Sequence, residues 1–123
     1  MAKTVAVIGA SSNRKKFGNR ALRAYRQQGY TVVPINPHET EVEGLKAYRS
    51  VLEFPETIDM ASFYVPPEVG VEVIGEVAQK GIAEVWLNPG AESDELIARA
   101  RSLNIRPIVA CSIIAIGQNP YQL

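Results

Sequence analysis

Apolar positions along the chain follow two rhythms. Short runs with little alternation stand at Thr4–Ile8 (TVAVI), Thr31–Ile35 (TVVPI), Asp59–Val65 (DMASFYV), Glu84–Leu87 (EVWL) and Pro107–Ala110 (PIVA). Such runs predict strands buried on both faces, as in a parallel sheet. Pro34 lacks an N–H and weakens the second of them as a ladder partner. Between the runs, apolar residues recur at helical spacing. Over Asn19–Gln28, Ala21, Leu22, Tyr25 and Gln28 share a face, and Arg20, Arg23 and Arg26 lie mostly off it. Over Pro67–Lys80, Val69, Val73, Ile74, Val77 and Ala78 face one way and Glu68, Glu72, Glu76 and Lys80 the other. Pro67 suits a first helical turn and Gly81 a stop. Ser93–Leu103 opens with a capping hydroxyl and two acids, then turns Leu96, Ile97, Ala100 and Leu103 inward. The segment Asn36–Pro55 is the least regular, and predicts a surface crossing with one helical turn near Val51–Phe54.

Strands alternating with helices predict an α/β, Rossmann-like, doubly wound parallel sheet of five strands with helices on both faces. The expected strand order is 3-2-1-4-5. The 123 residues fit one domain, 1–123, with no linker or repeat. Formal net charge is zero, which argues against nucleic acid or a membrane surface as partner. One cysteine excludes an internal disulfide and a thiolate zinc cage. Met1-Ala2-Lys3 leads directly into the first strand without a signal-peptide core, and no apolar stretch is long enough to span a membrane. The expected location is cytoplasmic. No protein partner is indicated.

In such a sheet, ligands bind beyond the carboxyl ends of the strands. That rule selects Gly9-Ala10-Ser11-Ser12-Asn13, Asn36-Pro37-His38, Tyr64-Val65-Pro66-Pro67, Asn88-Pro89-Gly90 and Cys111-Ser112. The first loop opens a helix, where free N–H groups and the dipole favour an anion. Gly9 permits a sharp exit, Ser11 and Ser12 can donate hydroxyls, and Arg14, Lys15 and Lys16 add charge. Gly9 and Gly18 stand nine residues apart, so this is neither the dinucleotide fingerprint nor a P-loop. A basic strand–helix turn is the competing reading. At the second strand end a neutral Asn36 replaces the acid that usually holds an NAD ribose, which speaks mildly against NAD. Pro66 and Pro67 stiffen a lip that could wall an adenine ring. No acid, base, nucleophile or metal set emerges. His38 is the sole histidine and has no obvious partner, and Cys111 reads as a small buried residue. Asp59 heads its strand on the wrong side of the sheet.

Taken together, "VAVIGASSN" at 5–13, "GYTVVPINP" at 29–37, "GLKAYRSV" at 44–51, "FYVPPE" at 63–68 and "VWLNPG" at 85–90 resemble the stand-alone CoA-binding domain proteins. These are similar to the amino-terminal CoA-binding domain of the succinyl-CoA synthetase alpha subunit. The resemblance implies coenzyme A as ligand. Ser11, Ser12, Asn13 and Arg14 would approach its phosphates, and Asn36 and Pro37 would flank the ribose 3′-phosphate or pyrophosphate end. Tyr64, Val65 and Pro66 would line the adenine side, with Asn88, Pro89 and Gly90 along the pantetheine. Where the synthetase has a glycine-lysine pair, this chain has His38-Glu39. Glu39 would repel a ribose phosphate if it pointed inward, leaving Arg14 or Lys15 to supply charge. Many stand-alone members carry two arginines where Val65-Pro66 stand here. The chain ends at Leu123, without the second synthetase domain, so ligase activity is not part of the expectation. The expected function is non-catalytic binding of CoA or an acyl-CoA. The alternative is an enzyme or redox-sensing protein that uses NAD(P) or another adenine nucleotide.

Overall fold

The computed structural model describes residues 2–123; Met1, read above as part of the lead into the first strand, lies outside them. In chain order the elements are β1 (Thr4–Ile8), α1 (Phe17–Gln27), β2 (Thr31–Ile35), β3 (Glu41–Val42), β4 (Leu45–Lys46), a 3-10 turn (Val51–Glu53) and β5 (Met60–Phe63). Then come α2 (Pro67–Lys80), β6 (Glu84–Leu87), α3 (Asp94–Ser102), β7 (Arg106–Val109), α4 (Ser112–Ala115) and a last 3-10 turn (Pro120–Gln122). The five long strands form one parallel sheet, and β3 and β4 form a small antiparallel hairpin.

Successive residues of the inner strands enter two different cores, as unalternating apolar runs require. Ala6, Ile8, Ala61, Phe63, Val85 and Leu87 pack with Ile74 and Val77 of α2 and Leu96 and Ala100 of α3. Val5, Val7, Val32 and Met60 face the other way, against Ala21, Leu22, Ala24 and Tyr25 of α1 and Ile113 of α4. Helices therefore cover both faces. Each fully buried Leu, Ile or Phe contributes about 1.5–3 kcal/mol relative to exposure. Helix ends follow the expected chemistry. Ser93 Oγ accepts from the Leu96 N–H at 3.0 Å, and Gly81 closes α2 in the left-handed conformation at φ +86°. Gln28, placed above on the inner face of α1, is exposed; Asn19 is buried in its stead.

The strand order departs from expectation. Spatially it is β2-β1-β5-β6-β7, so the third long strand lies beside the first, not outside the second. Pro34 gives the reason. The Pro34 carbonyl points outward and accepts from the Tyr48 N–H at 2.9 Å, so its missing N–H also faces outward. A further strand on that side would lose a ladder bond at Pro34; an edge position costs nothing. On its outer side β2 carries the isolated bridge between Ile35 and Tyr48 in place of a further ladder.

Candidate functional site

The chain reverses direction across the sheet between β1 and β5, and there the strand-end loops converge. The Tyr64 N–H donates to the Ile8 carbonyl at 2.8 Å, and the Gly9 N–H to the Ile35 carbonyl at 3.0 Å. Gly9 and Ser11 thus border one cleft with residues 64–66. Gly9 turns at φ +93°, and a Cβ there would lie 2.7 Å from the Tyr64 carbonyl oxygen. A Cβ on Gly18 would lie 2.2 Å from the Gly9 carbonyl oxygen. These two glycines, far apart in sequence, let the start of α1 sit directly on the β1 exit.

The resulting cleft has a volume of about 550 Å³. Gly9 and Ser11 line it from the first loop, Lys16, Phe17 and Gly18 from the start of α1, and Asn36 from the end of β2. Tyr64, Val65 and Pro66 form another wall, and Pro89, Gly90 and Ala91 the far end. A second chamber of about 300 Å³ shares Gly9, Asn36 and Val65 with the first. Its walls are Ile8, Ile35, Pro37, Val69 and Val73, with His38, Arg49 and Glu76 at polar positions. Both chambers are mainly apolar; the larger adds the backbone of the first loop, Ser11 and Lys16, and the smaller adds His38, Arg49 and Glu76.

Side-chain bonds fix the first loop. Ser11 Oγ accepts from the Asn13 N–H and Asn13 Oδ1 from the Lys15 N–H, both at 3.0 Å. Buried Asn19 donates to the Ser11 carbonyl at 2.8 Å and accepts from Arg23 Nε at 2.7 Å. The Ser12 N–H is taken by the Glu39 carboxylate, at 2.9 and 3.2 Å. Asn36 donates to the Ala10 carbonyl at 2.8 Å, and its Oδ1 accepts from the His38 N–H at 2.7 Å. Arg14 is turned away in an ion pair with Glu43 at 3.5 Å. Burial, with Arg14 beside it, draws the Arg23 pKa below its usual value.

Beneath the β5 and β6 ends lies a hydroxyl–amide cluster. Ser112 Oγ is 2.8 Å from Ser62 Oγ and 2.9 Å from Tyr64 Oη. Asn88 donates to Ser62 Oγ and the Phe63 carbonyl and accepts from the Ser112 N–H. Burial pushes the Tyr64 phenol well up, against the opposing pull of the Ser112 and Ser62 hydrogen bonds. The Tyr25 hydroxyl is buried nearby without a hydrogen-bond partner among the described residues. Cys111 is half-buried against the same core. Asp59, at the opposite sheet edge, accepts from the Thr4 N–H at 2.7 Å, a strand-start tie.

The structure therefore gathers most of the strand-end residues and sets others apart. Gly9, Ser11, Asn36, Tyr64, Val65, Pro66, Pro89 and Gly90 line the larger chamber, and Pro37 the smaller. Ser12, Asn13, Arg14 and Lys15 are exposed and line neither chamber. Asn88 is 2% exposed, so it shapes the cleft from below instead of bordering it. Lys16, Phe17 and Ala91 of the larger chamber and Arg49 of the smaller carry no signal in sequence beyond the diffuse charge of Lys16. Lys16 immediately precedes α1, which starts at Phe17, two residues before the Asn19 expected from the apolar spacing.

A parallel sheet with a glycine turn packed under a helix start, and a cleft at the reversal point, defines a Rossmann-like nucleotide-type binding domain. The chain belongs to the CoA binding domain family, whose model matches residues 3–117. It is similar to the alpha subunit of ADP-forming acetate–CoA ligase II from Pyrococcus furiosus, 40% identical over 82 residues, 66% of this chain and 18% of that one. It is also 42% identical over 95 residues to ADP-forming acetate–CoA ligase II from Archaeoglobus fulgidus, 76% of this chain and 14% of that one. The chain thus spans less than a fifth of either ligase. Among solved structures, a conserved hypothetical protein from Pyrococcus furiosus superimposes with a TM-score of 0.84 at 36% identity, over 94% of this chain and 99% of the other.

Proposed function

We propose that this chain is a binding module for coenzyme A or an acyl-CoA, without catalysis of its own. The supporting observation is the pair of chambers that share Gly9, Asn36 and Val65 at the sheet's reversal point, the larger of them opening on the start of α1. In the larger one, Lys16 and the amides at the start of α1 suit a pyrophosphate, because a helix start carries unpaired donors and positive potential. In the smaller one, Ile35, Pro37, Val65, Val69 and Val73 suit a flat adenine ring. Pro66, in the wall of the larger chamber, would face the phosphates instead of the adenine, and Pro89 and Gly90 would border the pantetheine arm. Ser12, Asn13, Arg14 and Lys15 lie outside the chambers, so the phosphate role expected of that loop would fall to Lys16. Among the described residues no cluster of His, Cys, Asp and Glu could hold a metal. The proposed role needs only binding.

Titration calorimetry with CoA, 3′-dephospho-CoA and NAD(H) tests the reading. CoA binds below millimolar concentration and more tightly than NAD(H). No heat with CoA at millimolar ligand, or tighter NAD(H) binding, overturns the assignment.

A further inference from the structure

Among the described residues, Arg49 is the one lysine or arginine in the wall of the smaller chamber. It also lines the shallow groove outside that chamber, as do Pro37 and His38, so the two spaces share a rim. The Arg49 backbone N–H donates to Glu53 Oε1 at 3.0 Å, which ties the residue to the turn that follows. Its guanidinium makes no hydrogen bond or ion pair among the described residues, where the ion pairs are Arg14–Glu43 and Arg106–Glu84. The carboxylates around it each accept from a neutral donor instead: Glu53 from that amide, Glu39 from the Ser12 amide at 2.9 Å, and Glu76 from the Ser50 hydroxyl at 2.9 Å. Lys46 lines the groove but not the chamber, and its Nζ stands 5.1 Å from the centre of the Tyr48 ring.

We infer that Arg49 is a specificity-determining residue that selects an adenosine carrying a phosphate on its ribose, the feature that separates coenzyme A from its dephospho form. The inference rests on the coenzyme reading above and deepens it. An adenine seated against Ile35, Val69 and Val73 puts its ribose at the rim that Pro37, His38 and Arg49 share. A guanidinium with free donors can give a phosphate two parallel N–H bonds, a fit that the point charge of a lysine lacks. A ribose hydroxyl at the same place takes only one weaker bond, so the phosphorylated form gains. Arg14, one of the two cations expected for this role, is occupied by Glu43, and Arg49 fills it from the opposite side of Asn36-Pro37.

The test titrates the wild-type chain, Arg49→Gln, Arg49→Lys and Lys46→Gln with CoA and with 3′-dephospho-CoA at low and high salt. The wild type prefers CoA by about tenfold, the scale of a charge-assisted hydrogen bond, and the preference narrows in high salt. In R49Q the two ligands bind about equally, because CoA loses affinity while the dephospho form keeps its own. That retained binding also shows that R49Q is folded. R49K, charged but without the fork, keeps part of the preference. K46Q keeps most of it, since a charge out of contact with the ligand is screened. A wild type that binds both ligands equally, or an R49Q that keeps the preference, overturns the selecting role and leaves the coenzyme site standing. An equal loss of both ligands in R49Q overturns it as well, because Arg49 would then serve a part common to the two. No binding of either ligand to the wild type overturns both readings.

Discussion

Gly18 is the position where a single methyl group does most harm to the cleft. Its added Cβ would stand 2.2 Å from the Gly9 carbonyl oxygen, and both partners are backbone. Relief requires α1 to lift off the β1 exit, which opens the core around Leu22 and Tyr25. Gly18→Ala is expected to cost about 3 kcal/mol, at the upper end of overpacking effects. Gly70 supplies the contrast. A Cβ there meets Leu96 Cδ2 at 2.8 Å, the far end of a flexible side chain, in a helix where alanine is favoured over glycine by about 1 kcal/mol. Gly70→Ala should therefore stay within about 1 kcal/mol of wild type, because Leu96 can shift and propensity compensates. Urea unfolding of the two variants decides; equal losses would refute the close-approach account. Asn88 is the polar counterpart. Asn88→Ala removes the acceptor of the buried Ser112 N–H and a donor to Ser62 Oγ. A loss of about 2–3 kcal/mol is expected, the cost of unsatisfied buried groups, and the same urea curves measure it.

At the scale of elements, the start of α1 separates two cations that look equivalent in sequence. Lys16 lines the larger chamber, while Arg14 is held by Glu43 on the outside. Lys16→Ala should weaken CoA about tenfold, the scale of a charge-assisted hydrogen bond, and reduce the salt dependence of binding. Arg14→Ala should change affinity by less than about twofold, since exposed ion pairs contribute little. Calorimetry at two salt concentrations measures both, and a larger loss for R14A would place the phosphate outside the chamber. The same element marks the limit of what the sequence makes legible. Thr4–Ile8, Thr31–Ile35 and Glu84–Leu87 are readable to the residue, because a strand buried on both faces need only be apolar. Strand order is not written in apolarity. It follows from which strands can bear an unpaired side, and Pro34 and Pro107, one in each edge strand, carry that information. The β3–β4 hairpin hides because its turn uses Glu43 at φ +50° before Gly44 at φ +79°, and glutamate seldom signals such a turn. The strand-end rule finds the cleft walls. It cannot find the contact of Ser12 with Glu39, which closes across 27 residues and depends on how two loops settle together.

For the whole molecule, the buried phenols tie stability to alkaline pH. Burial is the main force raising both the Tyr25 and Tyr64 pKa above the ordinary value of 10.0. For both, the Ser112 and Ser62 hydroxyls oppose the shift without cancelling it. A raised acid pKa means that the folded chain keeps a proton the unfolded chain gives up. Below about pH 10 both states hold that proton and stability is untouched by these groups. Above it, the unfolded state ionises first, so stability falls as pH rises toward the folded values. The two tyrosines should differ when replaced. Tyr25→Phe deletes a buried hydroxyl that sits near Ser112 and Ser62 but makes no well-formed hydrogen bond among the described residues, so stability at pH 7 should hold or rise. Tyr64→Phe removes a bond to Ser112 Oγ and should cost about 1 kcal/mol at pH 7. Each replacement should make the decline above pH 10 shallower, and the double variant should be shallowest. Urea midpoints measured from pH 7 to pH 11 check this. A decline that begins well below pH 10, or one as steep in the double variant as in wild type, would mean that other groups limit the fold in alkali. The cluster beneath the cleft would then hold the strand ends without controlling the pH range in which they stay together.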